Sequence, residues 1–123
     1  MILETVLRNV LGDAIDAEIN TGAGTAQLKF ETSGDAALAT IDLQNPAFGA
    51  AAAGVITLQG TPLSDTNASA GTVAQASIYD RDATKQLEMT VGTGAQEITI
   101  SSTAIGAGDT VQLTSLTITV PAS

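Results

Sequence analysis

Residues 25–43 read TAQLKFETSGDAALATIDL, and this stretch decides the fold. Ala26, Leu28 and Phe30 share one parity while Gln27, Lys29 and Glu31 share the other, the period of two that marks a strand with one buried face. Thr32-Ser33-Gly34-Asp35 supplies residues that make turns through their own side chains or tolerate left-handed backbone. Beyond that turn Ala39, Ile41 and Leu43 alternate with Thr40 and Asp42. Two alternating runs joined by a short polar link predict a β-hairpin.

Toward the C-terminus the same pattern repeats. Asn45-Pro46 ends the second strand, and Ala47 to Ala53 reads as a compact connector pinned by Phe48. Gly54 to Gln59 is a short strand, and residues 60–72 form a polar loop. Val73 to Asp80 and Gln86 to Val91 predict a second hairpin around Arg81-Asp82-Ala83-Thr84-Lys85. Gly92-Thr93-Gly94-Ala95 reads as a turn, and Glu97 to Ser101 presents Ile98 and Ile100 on one face. In Thr110 to Val120 the buried parity slips, odd at Val111 and Leu113 but even at Leu116, Ile118 and Val120, which predicts a bulge or bend near Ser115.

Toward the N-terminus the period changes to that of a helix. Between Ile2 and Ile19 the apolar residues recur at spacings of three and four, with Glu4, Arg8, Asn9, Asp13 and Asp16 on the opposite side. Glu4 and Arg8 form a favourable i,i+4 pair. Gly12 allows a break or bend, and Asn20-Thr21-Gly22-Ala23-Gly24 stops the helix. The expectation is a single domain over 1–123 of mainly β class. It consists of one N-terminal α-helix in 1–20 and an antiparallel β-sandwich or barrel of about seven strands in 25–120.

Composition narrows the chemistry. The 123 residues contain no His and no Cys, which removes thiol nucleophiles, disulfides, thiolate or imidazole zinc sites and Ser-His-Asp triads. Four basic residues against 13 acidic ones give a net charge of −9, which opposes contact with phosphate backbones or anionic membranes. No nucleic acid and no membrane are therefore expected as partners. Met1-Ile2-Leu3-Glu4-Thr5 has no basic region ahead of an apolar run, so no signal peptide is expected and the chain reads as cytosolic where it is made.

No motif selects a catalytic, cofactor or metal site. Asp80-Arg81-Asp82 opens like a calcium loop, but Lys85 and Val91 stand where that loop needs Gly and Glu, so a solvated hairpin tip is the expectation. Gly22-Ala23-Gly24 and Gly92-Thr93-Gly94 lack the strand-to-helix setting and Lys-Ser/Thr tail of a phosphate loop. Asp13, Asp16 and Glu18 read as a solvated helix face, or else as an acidic patch for a basic partner. The helix itself is expected to bury its apolar arc against its own sheet, with packing on a neighbouring subunit as the alternative. The 60–72 loop and the 81–85 tip are further candidate contacts, and Tyr79 is the one plausible surface aromatic.

Three stretches together resemble a family of small virion proteins of tailed bacteriophages and prophages. They are Leu7-Arg8-Asn9-Val10 through Asp13-Ala14-Ile15-Asp16 and Thr21-Gly22-Ala23-Gly24 to Leu28-Lys29-Phe30, then Asn45-Pro46-Ala47-Phe48-Gly49-Ala50-Ala51-Ala52-Ala53-Gly54, and the ending Leu113-Thr114-Ser115-Leu116-Thr117-Ile118-Thr119-Val120-Pro121. The resemblance covers nearly the whole chain. It implies a non-enzymatic structural protein without assigned catalytic, cofactor or metal residues. The station implied first is capsid decoration, a cement protein bound outside the head in contact with the major capsid protein. It also implies a homo-oligomer, with a trimer expected, in a virion assembled in the bacterial cytoplasm. A tail or neck structural protein and a receptor- or carbohydrate-binding module are the alternatives.

Overall fold

A computed structural model describes residues 1–94 and 96–123. The chain is mainly β, with one helix, α1 (Thr5–Ile19). Its strands are β1 (Gln27–Glu31), β2 (Ala37–Asp42), β3 (Val55–Thr57), β4 (Leu63–Asp65), β5 (Gly71–Thr72), β6 (Gln75–Tyr79), β7 (Lys85–Gly92), β8 (Ile98–Thr99), β9 (Ala104–Ile105), β10 (Val111–Leu113) and β11 (Thr117–Thr119). Among the described residues eleven short strands thus replace the expected seven or so, because residues 60–72 carry β4 and β5, residues 104–105 carry β9, and the single strand expected over 110–120 divides into β10 and β11.

The central sheet has the order β2-β1-β6-β7-β8. Both predicted hairpins lie in it, β1 with β2 and β6 with β7, and β1 joins them by pairing antiparallel with β6. Its last pair departs from the antiparallel expectation, since β8 runs parallel to β7. The register aligns Ala39, Phe30, Ala76 and Met89 in one cross-strand row on the buried face. Two alanines therefore flank Phe30, and small beside large lets an aliphatic, alanine-rich core reach close packing around a single ring. The first hairpin turn closes as its residues foretold, with Thr32 Oγ1 accepting the amides of Gly34 and Ala36.

Three two-stranded ribbons complete the β structure, β10 with β4, β11 with β3 and β5 with β9. The parity slip near Ser115 is resolved by a break. The chain leaves β10 at Leu113, buries Leu116, and resumes in β11 on a different partner. Phe48 is buried and bridges to Leu58, so the connector is pinned as expected. The turn expected at 92–95 begins on Gly92 at the end of β7, and its last residue, Ala95, lies outside the described residues.

The helix corrects two expectations. It runs unbroken through Gly12, and the side it turns to the connector carries Arg8, Asn9, Asp13 and Asp16 beside Gly12, Ile15 and Ile19, which leaves most of the apolar arc outside. Gly12 and Ile19 are its only buried residues, whereas Ile2, Val6 and Val10 are 77%, 77% and 58% exposed. Gly12 is there for close approach. A Cβ at that position would stand 3.1 Å from Ala51 Cβ and 3.2 Å from Ile56 Cγ2, tighter than side chains normally tolerate.

Candidate functional site

The inversion of α1 has a backbone cause. Residues 47–54 form a connector whose amides mostly find no strand partner, and buried N–H groups must be satisfied somewhere. The helix supplies acceptors in a row spaced by three and four residues. Asn20 Oδ1 accepts the Ala47 amide at 3.0 Å, and Asp16 Oδ1 accepts that of Phe48 at 2.9 Å. Asp13 Oδ1 accepts from Ala51 at 2.8 Å, and Asn9 Oδ1 from Gly54 at 2.8 Å. Arg8 adds the complementary donors, Nη2 to Ala53 O at 2.7 Å and Nε to Val120 O at 3.1 Å. Gly54, at φ 76°, leaves room for that guanidinium, which a Cβ would overlap.

The same helix therefore holds its other face out. Val6, Leu7, Val10 and Leu11 are all exposed, with Ile2 just ahead of the helix and Glu18 at the flank of the row. Ala14 and Ala17 continue the row toward the C-terminal end of the helix. Beside it runs a shallow apolar groove lined by Leu11, Ala14, Ile15, Leu87, Val120 and Pro121. A contiguous apolar patch of this kind is unusual on a monomer and marks contact surfaces. The helix is anchored at both ends. Leu3 N donates to Ala122 O at 2.6 Å, and just past the helix C-terminus Asn20 Oδ1 holds the Ala47 amide at 3.0 Å.

A second cluster lies on the opposite side of the central sheet from the core row. Glu31, read as a solvated alternation partner of Lys29, is 1% exposed. Ser77 Oγ donates to its Oε1 and Tyr79 OH to its Oε2, both at 2.6 Å, and Gln75 Nε2 adds a bond to Oε1 at 3.3 Å. Lys85 Nζ lies 3.7 Å from Oε1 and also meets Asp35 and Glu88. Burial pushes the Glu31 carboxyl up, but the three hydrogen bonds and the Lys85 charge outweigh it and leave it below the usual carboxylate range. The hydrogen bond to Glu31, reinforced by burial and by the carboxylate charge, holds the Tyr79 hydroxyl above its ordinary value. Each buried side-chain polar atom here has a hydrogen-bond partner, and the cluster braces β1, β6 and β7. The β1–β6 register sets Glu31 opposite Gln75, and its carboxylate reaches along that face to Ser77 and Tyr79, which stand opposite Lys29 and Gln27; alternation alone does not reveal this.

The remaining sequence candidates are placed as follows. Asp13 and Asp16 each accept a backbone amide, Asp13 while staying exposed as expected and Asp16 half-buried; Glu18, also exposed, stays outside that network. Asp80 is likewise buried, contrary to the solvated tip expected. Its Oδ1 accepts the amides of Asp82 and Thr84 at 2.9 Å and its Oδ2 the Gln86 side chain, which closes the 81–85 turn. The Thr84 amide foremost, with Gln86 and Asp82, keeps its carboxyl below the ordinary value against the push of burial. Gly22 and Gly24 pack against Asp82 and Arg81, as a turn locked to that hairpin. Tyr79 is half-buried beneath the Lys29 ammonium, 4.7 Å from its ring centre.

Among the described residues no group of three or more His, Cys, Asp or Glu is arranged to hold a metal ion. No helix is long and apolar enough to cross a membrane. No protein-family model, curated protein or solved structure matches this chain.

Proposed function

We propose that this protein is a non-enzymatic structural component of a tailed-phage virion, a capsid decoration protein that binds the outer surface of the head. The observation that carries the reading is the exposed apolar face of α1, held rigid from behind by side chains fastened to the connector. Such a face is suited to adhesion and costs little ordering entropy on contact. The resemblance of three stretches to small virion proteins supplies the setting.

The charge distribution supports a place outside the shell. With a net charge of −9, the surface repels packaged DNA. All four basic side chains have intramolecular partners: Arg8 and Arg81 on backbone carbonyls, Lys85 on carboxylates and Lys29 over Tyr79. We read the central sheet and the ribbons facing it as the two layers of a sandwich. That arrangement would present the helix from one edge to the major capsid protein or to a homo-oligomeric neighbour.

The test is density-gradient purification of particles from the phage or prophage that carries the gene, followed by immunogold labelling. Label spread over the icosahedral head is the expected result. Label confined to the tail, or protein found only in the soluble fraction, overturns the reading.

A further inference from the structure

We infer that the exposed face of α1 is covered by α1 of a second copy of this chain, in an antiparallel two-fold pair. This rests on the adhesive role given to α1 above and names its partner.

The first ground is area. Met1, Ile2, Val6, Leu7, Val10 and Leu11 are the large apolar residues left in solvent, and all lie on this one segment. Together they expose on the order of 700 Å², close to the ~800 Å² that each partner gives to a standard interface. The arc alone is therefore large enough to hold a dimer.

The second ground is shape. Leu7, Val10, Ala14 and Ala17 follow the 4–3 spacing of a helix-pairing seam, and all four are exposed. Their size tapers from large to small along the helix. Placing a two-fold axis at the level of Gly12, the midpoint of Thr5–Ile19, sets Leu7 against Ala17 of the second copy and Val10 against its Ala14. Each of the four layers then holds one large and one small residue, as close packing requires. A parallel pair would crowd Leu7 on Leu7 and leave Ala17 facing Ala17 across a gap. Leu3, Ile2 and Met1 would overhang the Asn20–Gly24 turn of the other copy and extend the buried area.

The third ground is charge. The four seam positions are uncharged and Glu18, which lines the groove beside Leu11 and Ala14, flanks them, while each copy carries −9 overall. Such a pair is held by apolar burial and opposed by long-range repulsion, so added salt should tighten it. A basic partner surface would show the reverse dependence.

The test is sedimentation velocity of the full chain at rising concentration and at low and high salt, with Val10→Asp beside it. The expected result is a dimer that tightens with salt. In Val10→Asp the dissociation constant should rise at least ~30-fold, the loss typical of a central hot spot, with circular dichroism and melting of the monomer unchanged. A monomer at all concentrations, a trimer, or a dimer indifferent to Val10→Asp overturns the inference.

Orientation is read separately, because the chain has no cysteine of its own. A mixture of Leu7→Cys and Ala17→Cys should cross-link under mild oxidant. Leu7→Cys alone should not, since its two copies would be ~15 Å apart along the axis and a disulfide needs Cα atoms within ~7 Å. Self-linking of Leu7→Cys without the mixed product overturns the antiparallel pair. A monomer that nevertheless labels the head would sink the pairing and leave the virion reading standing. A dimer absent from every particle would do the opposite.

Discussion

Asp16 Oδ1 accepts the amide hydrogen of Phe48 at 2.9 Å, joining the helix to the most buried aromatic of the connector across 32 positions of chain. A residue whose charge and position read as solvent-facing is thereby the fastening of α1. It also takes a bond from Asn20 Nδ2 at 2.9 Å, so one carboxylate serves both the connector and the helix end.

Asp16→Ala leaves the Phe48 amide without its acceptor, while Asn20 Nδ2 keeps the Asp16 backbone carbonyl. An orphaned buried donor costs about 1–3 kcal/mol. Urea unfolding should show that loss, whereas Glu18→Ala, on the exposed side, should stay within about 0.5 kcal/mol of the parent. Equal effects for both would show that the connector does not depend on α1.

Gly12→Val should destabilise the protein by about 1–3 kcal/mol through overpacking. The added carbons would press on Ala51 and Ile56. The measurement is the denaturation midpoint, and an unchanged or raised midpoint would mean that the helix does not sit against the connector at this distance.

Val6→Ser and Ile56→Ala separate the outward arc from the core. Val6 is 77% exposed and Ile56 fully buried. At concentrations dilute enough to keep copies apart, Val6→Ser should leave stability within about 0.5 kcal/mol, while Ile56→Ala should cost about 2–5 kcal/mol. Dye binding to exposed apolar surface should fall in Val6→Ser.

Acid should weaken the fold through Glu31 and Asp80. Both carboxyls lie below their ordinary values of 4.5 and 3.8 in the folded chain. A depressed folded value contributes stability that is complete above the ordinary value and lost as pH falls through the folded one. Unfolding free energy should thus be flat near neutrality and decline from about pH 4.5 downward. Glu31→Gln should be less stable at pH 7, by about 1–3 kcal/mol, and should decline less steeply in acid. A parallel decline in both proteins would remove Glu31 as a cause.

Alkali acts with the opposite sign. Tyr79 and Lys85 both sit above their ordinary values of 10.0 and 10.5. For the Tyr79 hydroxyl the bond to Glu31 leads. For the Lys85 ammonium, burial works against the raised value and Glu88, Glu31 and Asp35 overcome it. Stability from raised values is complete below the ordinary ones and lost as pH rises through the folded ones. Tyr79→Phe should remove part of that alkaline decline, and the midpoint of the parent's ultraviolet tyrosinate titration should lie above 10.0. A midpoint below that value would contradict the bond to Glu31.

Local pattern determined much of this protein. Both hairpins, the Thr32 turn, the burial of Phe48, an irregularity near Ser115 and the existence and C-terminal end of α1 follow from parity, turn chemistry and period, which are properties of neighbouring residues. Glu31, Asp80 and the orientation of α1 were not legible in that way. Hydrophobic periodicity assumes that the apolar face of a helix is the buried one, whereas here Asn9, Asp13, Asp16 and Asn20 answer unpaired amides some 27–45 positions away. Only the tertiary structure could decide that, because the cost of a buried unbonded amide depends on where the connector runs. That path is set by the packing of Phe48 and Ile56, which no single segment encodes.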